Sequence, residues 1–122
     1  MFKLLHERGE DMKIPEVVPS LQNFISASAH LLPENLDKII VFGSYARNEA
    51  TIRSDVDVAL IFDGTEPAER IDREAVRDIL DDFDDIIKFD LFCTNQIKID
   101  GALSKFDANY WIREEGRLLW AR

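Results

Sequence analysis

The chain has 122 residues and a formal net charge of −9, with a sequence pI near 4.6, so it lacks the basic surface that broad nucleic-acid binding demands. Its hydrophobic content of 46% is ordinary for one globular domain spanning residues 1–122, and no apolar run is long enough to cross a bilayer. Cys93 is the only cysteine, which excludes an intrachain disulfide and a cysteine-rich zinc site, and no signal peptide is legible at the N-terminus, so a cytoplasmic protein is the simplest expectation.

Residues 1–14 are mixed and charged and read as a short helix or loose arm. Pro15 and Pro19 punctuate a helix start, with Ser20 as N-cap before Leu21, Phe24, Ile25, Leu31 and Leu32, and Pro33 ends that helix. Lys38 to Phe42 reads as a buried strand. Gly43-Ser44 then opens one or two helical turns through Asn48, and residues 49–54 form a polar loop. Asp55 to Phe62 is a second strand, with Val56, Val58 and Leu60 on one face and Asp57, Ala59 and Ile61 on the other. Asp63-Gly64-Thr65 is a turn, and Pro67 stands near the start of a helix whose stripe is Ile71, Ala75, Ile79 and Phe83, with Val76 and Leu80 beside it. Ile86 to Phe92 reads as a third strand, and Thr94 to Gly101 as a loop. Ser104 to Glu115 reads as a helix anchored by Phe106, Tyr110 and Trp111, with core packing the first reading of those rings and base stacking the lesser one. Gly116 is its C′ residue, and Arg117 to Ala121 is a last strand or edge. Helices alternating with strands predict an α/β fold with a small mixed sheet flanked by helices.

Gly43-Ser44 followed after ten residues by Asp55-Val56-Asp57 carries the chemistry. Strand side chains two apart share a face, so Asp55 and Asp57 are expected to converge there. Close carboxylates repel unless a cation sits between them, and Mg²⁺, which prefers oxygen ligands and bridges to phosphates, is the natural filler. A glycine leaving a strand can take positive φ and let the backbone approach a phosphate, and the following Ser44 offers a hydroxyl and an amide at a helix start. Arg47, one turn on, can aim its guanidinium at a phosphate or a carboxylate. Asp90, flanked by Phe89 and Leu91, is an acid in an apolar strand and completes a three-carboxylate cluster if that strand pairs with the Asp55–Ile61 strand. Ser54 caps or orients the loop before the pair. The acids Asp81, Asp82, Asp84 and Asp85 are read first as a solvated helix end, with partner contact as the other reading. His6 and His30 have no spaced companions, and Cys93 reads as a small core residue.

Phe42-Gly43-Ser44-Tyr45-Ala46-Arg47 and Ser54-Asp55-Val56-Asp57 resemble the minimal nucleotidyltransferases of the DNA polymerase β-like superfamily, closely over residues 36–92 and more loosely to Trp120. The resemblance implies the nucleotidyltransferase fold and transfer of a nucleoside monophosphate from a triphosphate such as ATP. It implies Asp55, Asp57 and Asp90 as catalytic ligands of two Mg²⁺ ions, Asp90 also being the base. Gly43 and Ser44 would grip the nucleotide, with Arg47 and Ser54 beside them. Many such domains are similar to antitoxins that adenylylate a tyrosine of a HEPN-domain ribonuclease toxin, so a HEPN toxin is the implied partner. The alternatives are an antitoxin acting by direct binding and nucleotidyl transfer to a small molecule such as an antibiotic, where a second copy of the chain in a homo-oligomer could supply the acceptor pocket. Residues 1–14 have no counterpart in the shortest family members.

Overall fold

The computed structural model of the protein describes residues 12–64 and 70–122. The expected arm before Met12, Thr65 of the turn and the Pro67 helix start lie outside them. Helix α1 is Ile14–Ala27, followed by a 3₁₀ turn at Ala29–Leu31. Strand β1 (Leu36–Phe42) leads through a 3₁₀ turn, Gly43–Tyr45, and a loop to β2 (Val56–Phe62). Helix α2 (Arg70–Phe83), strand β3 (Phe89–Asn95), helix α3 (Gln96–Gly101), helix α4 (Ala108–Glu115) and strand β4 (Arg117–Ala121) complete the order. The sheet order is β3-β2-β1-β4, with β1 antiparallel to both β2 and β4 and β2 parallel to β3. This is the small mixed α/β sheet that the alternation of elements predicts.

Period-two alternation sorts the strands into two faces. Ile39, Val41, Val56, Val58, Leu60 and Phe89 bury against Val17, Leu21 and Ile25 of α1 and Val76, Leu80 and Phe83 of α2. The opposite face carries a smaller cluster, Ala59, Ile61, Ile99 and Ile112, with Ile40, Phe42 and Phe92 packed on it. Phe83 is fully buried, with its ring 5.4 Å from that of Phe24 and 6.3 Å from that of Phe89. Phe83→Ala is therefore expected to cost about 3–5 kcal/mol in chemical denaturation, the usual range for emptying a buried phenyl site.

Several boundaries differ from the sequence expectation. Ser20 is not an N-cap: α1 begins at Ile14 with Pro15 in its first turn and keeps Pro19 inside. The buried stripe Val17, Leu21, Ile25 runs straight across Pro19, and packing that stripe outweighs the one hydrogen bond a proline removes. In α2, Ile71 is exposed rather than part of the apolar stripe. The third strand starts at Phe89, not Ile86, because the Asp84 carboxylate accepts from the amides of Ile86 and Ile87 at 2.7 and 3.2 Å and holds them in a turn. Asp84 is thus buried structure, while Asp81, Asp82 and Asp85 are solvent-facing. Thr94 and Asn95 belong to β3 and not to a loop. Asn95 caps α3 by accepting from the Lys98 amide at 2.9 Å, so residues 96–101 are helical as well.

Helix α4 is shorter than the expected 104–115 span, because Asp107 accepts from the Asn109 amide at 2.9 Å and caps it there. Its buried residues are Asn109 and Ile112, whereas Phe106 is fully exposed and Trp111 partly so. The expected aromatic anchors therefore do not face the core. The Thr94 hydroxyl donates to the Asn109 side-chain oxygen Oδ1, tying the end of β3 to α4. Gly116 follows α4 with φ −63°, an ordinary value, so no left-handed C′ residue is present. Its reason is space: a Cβ there would stand 2.2 Å from the Ile112 carbonyl oxygen and 2.6 Å from Ile40 Cγ2. Gly116→Ala is expected to lower the melting temperature by forcing α4 off β1, since both contacts are far inside van der Waals range. An unchanged melting temperature would show that this junction yields at no cost.

Candidate active site

The end of β1, the start of β2 and one side of α4 enclose a cleft of about 550 Å³, within the size range of small-molecule sites. Gly43, Ser44 and Arg47 form the β1 side, Asp57 the floor, and Ala108, Trp111 and Glu115 the α4 side, with Phe42 and Phe106 completing the lining. Gly43 has φ +72°, the left-handed region where a Cβ is penalised. A Cβ on Gly43 would lie 2.1 Å from Asp57 Oδ2. The turn thus brings bare backbone directly onto the Asp57 carboxylate.

Asp57 and Asp90 are register partners on the parallel strands β2 and β3. Both project from the face opposite the main core, because their neighbours Val56, Val58, Phe89 and Leu91 pack into it. Burial pushes the Asp57 carboxyl above the usual aspartate range, and the negative charges of Asp90 and then Asp55 push it further; Arg47 acts against them. Asp55 precedes the first residue of β2 and lines a neighbouring depression with Ser54 and Lys88. Among the described residues, no three His, Cys, Asp or Glu side chains close around a single point that would enclose a cation. Asp55, Asp57 and Asp90 are thus near enough to repel through Asp57 without forming a finished cage.

That donor set suits Mg²⁺, which commonly takes one or two carboxylates and completes its octahedron with waters and substrate phosphates. The groups are all hard oxygens, burial and the neighbouring acids disfavour the charge on Asp57, and the missing Cβ of Gly43 leaves room beside Oδ2.

Arg47 points to carboxylates. Its Nε donates to Glu49 Oε1 and its Nη1 to Glu115 Oε1 at 2.8 Å, which leaves further guanidinium N–H groups for an anion in the cleft. Ser54 is used inside its own loop: its hydroxyl accepts from the Thr51 amide at 2.9 Å. It shapes the approach to Asp55 and does not line the main cleft. Burial also raises the Cys93 thiol pKa, in keeping with a packing role against the main core.

Sequence reasoning missed Glu115 as a cleft residue and ranked core packing above base stacking for Phe106 and Trp111, both of which line the cleft. A signal existed: Ala108, Trp111 and Glu115 recur at helical spacing on one stripe of α4, beside the buried Asn109 and Ile112.

Residues 27–119 match the family model described as Polymerase beta, Nucleotidyltransferase. A Methanocaldococcus jannaschii protein named as a candidate protein adenylyltransferase, MJ0141, is 40% identical over 50 residues, covering 41% of this chain and 48% of its own length. The chain therefore aligns with about half of that relative. Among solved structures, a toxin–antitoxin complex with AMP-PNP superposes with a TM-score of 0.58 at 23% identity, over 83% of this chain and 73% of that one. A candidate nucleotidyltransferase of Sulfolobus solfataricus gives 0.54 at 20% identity, over 92% and 91%. The toxin–antitoxin MntA-HpeT, with two aspartates changed to glutamate, gives 0.50 at 18% identity, over 91% and 75%. These likenesses establish a shared fold. Among the described residues, no helix is long and apolar enough to cross a membrane.

Proposed function

The chain belongs to the polymerase β-type nucleotidyltransferase family, and on that premise we propose that it transfers AMP from Mg-ATP to a hydroxyl on a protein partner, a tyrosine of a HEPN-domain ribonuclease toxin. The observation that carries the transfer is Gly43, bent to positive φ with its backbone against Asp57 Oδ2, on a strand pair whose register sets Asp57 opposite Asp90. The adenylyltransferase name of the Methanocaldococcus jannaschii relative supports the reaction type. The two toxin–antitoxin neighbours, one bound to AMP-PNP, support the kind of partner.

In this reading Asp55, Asp57 and Asp90 would supply carboxylates to Mg²⁺, Gly43 and Ser44 would present backbone amides to the triphosphate, and Arg47 would offer its remaining N–H groups to the same phosphates. Bound Mg²⁺ would supply charge neutralisation on the triphosphate and acidify the attacking hydroxyl. The acceptor oxygen bonds to the α-phosphorus, the bond from that phosphorus to the bridging oxygen of the β-phosphate breaks, and pyrophosphate leaves. The acceptor proton passes to Asp90, which the parallel register places beside Asp57.

The test is to incubate the purified chain with its HEPN partner, Mg²⁺ and ATP labelled at the α-phosphate. Label is expected on the partner tyrosine, with loss of its ribonuclease activity. Neutralisation without label would favour an antitoxin that acts by covering its partner. Label on a small acceptor, and none on the protein, would favour a small-molecule nucleotidyltransferase.

A further inference from the structure

The α4 wall of the cleft has a composition that phosphate binding and metal binding do not explain. Trp111 lies on the same stripe as Ala108 and Glu115 and is 37% exposed, while Phe106, just before the helix, is fully exposed in the same concavity. Neither ring fills the core, whose α4 contributions are Asn109 and Ile112. The indole is nevertheless fixed. Its Nε1 donates to the Lys105 carbonyl at 2.8 Å, and Tyr110 packs edge-to-face against it with centroids 5.0 Å apart at 80°. Its one polar atom is satisfied within the chain, so the ring is oriented before any ligand arrives.

We propose that Trp111, with Phe106 at the rim, is the stacking platform for the nucleobase of the bound nucleoside triphosphate. The proposal rests on the nucleotidyl-transfer reading of the same cleft. Gly43, Ser44 and Arg47 supply phosphate chemistry on one wall, and the wall facing them supplies flat apolar surface. A nucleoside triphosphate has that polarity: an anionic chain at one end and an uncharged π-face at the other. A base stacked on an aromatic ring needs no free hydrogen-bonding edge. Here the Glu115 carboxylate that could read an edge already accepts from Arg47, whose remaining N–H groups are assigned to the phosphates. A purely protein occupant would meet the same wall, but would leave the phosphate-facing wall without a matching anion.

The experiment uses the Trp120→Phe background, in which Trp111 is the sole tryptophan of a chain that has two. Trp120 lies on β4 under the Arg122 guanidinium and does not line the cleft. Mg-ATP and Mg-tripolyphosphate, which has no base, are titrated while Trp111 emission and calorimetric binding are followed. Both ligands are expected to bind, and only ATP to change the emission. Trp111→Ala is expected to weaken ATP about 10-fold or more, in the range stacking contributes per base. Its tripolyphosphate affinity should be unchanged, and Trp111→Phe should recover most of the ATP affinity. Equal ATP affinity in Trp111→Ala, or an equal emission change with both ligands, would overturn the platform and leave the nucleotide reading standing. Failure of both ligands to bind the parent chain would instead remove the nucleotide reading and this proposal together. Misfolding of Trp111→Ala would show as a parallel loss of tripolyphosphate binding, and the Trp111→Phe comparison and the emission titration then decide.

Discussion

Replacing Asp57 by asparagine is expected to abolish nucleotidyl transfer and, in the metal-free protein at neutral pH, to raise the melting temperature. The two effects have one origin. Asp57 sits half-buried between Asp90 and Asp55, and burial followed by those two charges lifts its carboxyl above the ordinary aspartate value. An acid with a raised folded-state pKa binds its proton more tightly in the native chain than in the unfolded one. Stability therefore falls as pH rises from the unfolded value through the folded value, and the ionised side chain is a cost at pH 7. Asparagine keeps the shape and removes that cost. The gain in melting temperature over the parent chain should be visible at pH 7 in chelator and shrink as pH falls below the unfolded aspartate pKa, where both side chains are neutral. Added Mg²⁺ should stabilise the parent chain and leave Asp57→Asn unmoved, because a ligand that binds only the native state raises its stability.

Activity should go the other way. Losing a group that merely orients a metal ligand commonly costs 10- to 100-fold, so losing the carboxylate itself should cost at least about 100-fold in labelling rate. The readouts are a rate with α-labelled ATP and a thermal scan at two pH values. A variant that loses activity together with stability would indicate that Asp57 is structural. A variant that keeps activity would move the reaction away from this cleft.

How much of this was legible in the sequence depends on the range of the interaction that decides each element. The glycine-serine turn, the paired aspartates and the alternation within β2 are local patterns, and Val56, Val58 and Leu60 indeed face one core while Ala59 and Ile61 face the other. The pairing of Asp57 with Asp90 was legible only as a condition, since it depends on β2 and β3 running parallel in that register. Four of the misread boundaries turn on a long-range or capping contact. Asp84 bonding two later amides delays β3, Asn95 and Asp107 start helices at caps that compete with hydrophobic spacing, and the core draws α1 across Pro19. The aromatic residues of the 104–111 segment were misassigned for a related reason. Helical spacing says which residues share a face but not whether that face meets the core or a cleft. Only the contact of Ile112 with Ile61 and its neighbours settles which side of α4 turns inward.

Gly43→Ala is the second large effect, and a double-mutant cycle separates its two components. The first is torsional: at φ +72° an alanine pays about 1–2 kcal/mol for the left-handed conformation wherever its methyl points. The second is steric and specific: the new Cβ would stand 2.1 Å from Asp57 Oδ2 and 3.1 Å from Asp57 Cγ, so the carboxylate must shift from its place in the cleft. In the parent chain both penalties act, and the displaced carboxylate should take activity down nearly as far as Asp57→Asn does. In an Asp57→Ala background the steric partner is gone, and Gly43→Ala should cost only the torsional part. The coupling read from chemical denaturation of the four proteins should therefore be clearly non-zero, as it is for groups in direct contact. Additive costs would mean the turn relaxes away from β2 without disturbing Asp57. The close approach of backbone to carboxylate, on which the phosphate-binding role of this turn depends, would then have no energetic reality.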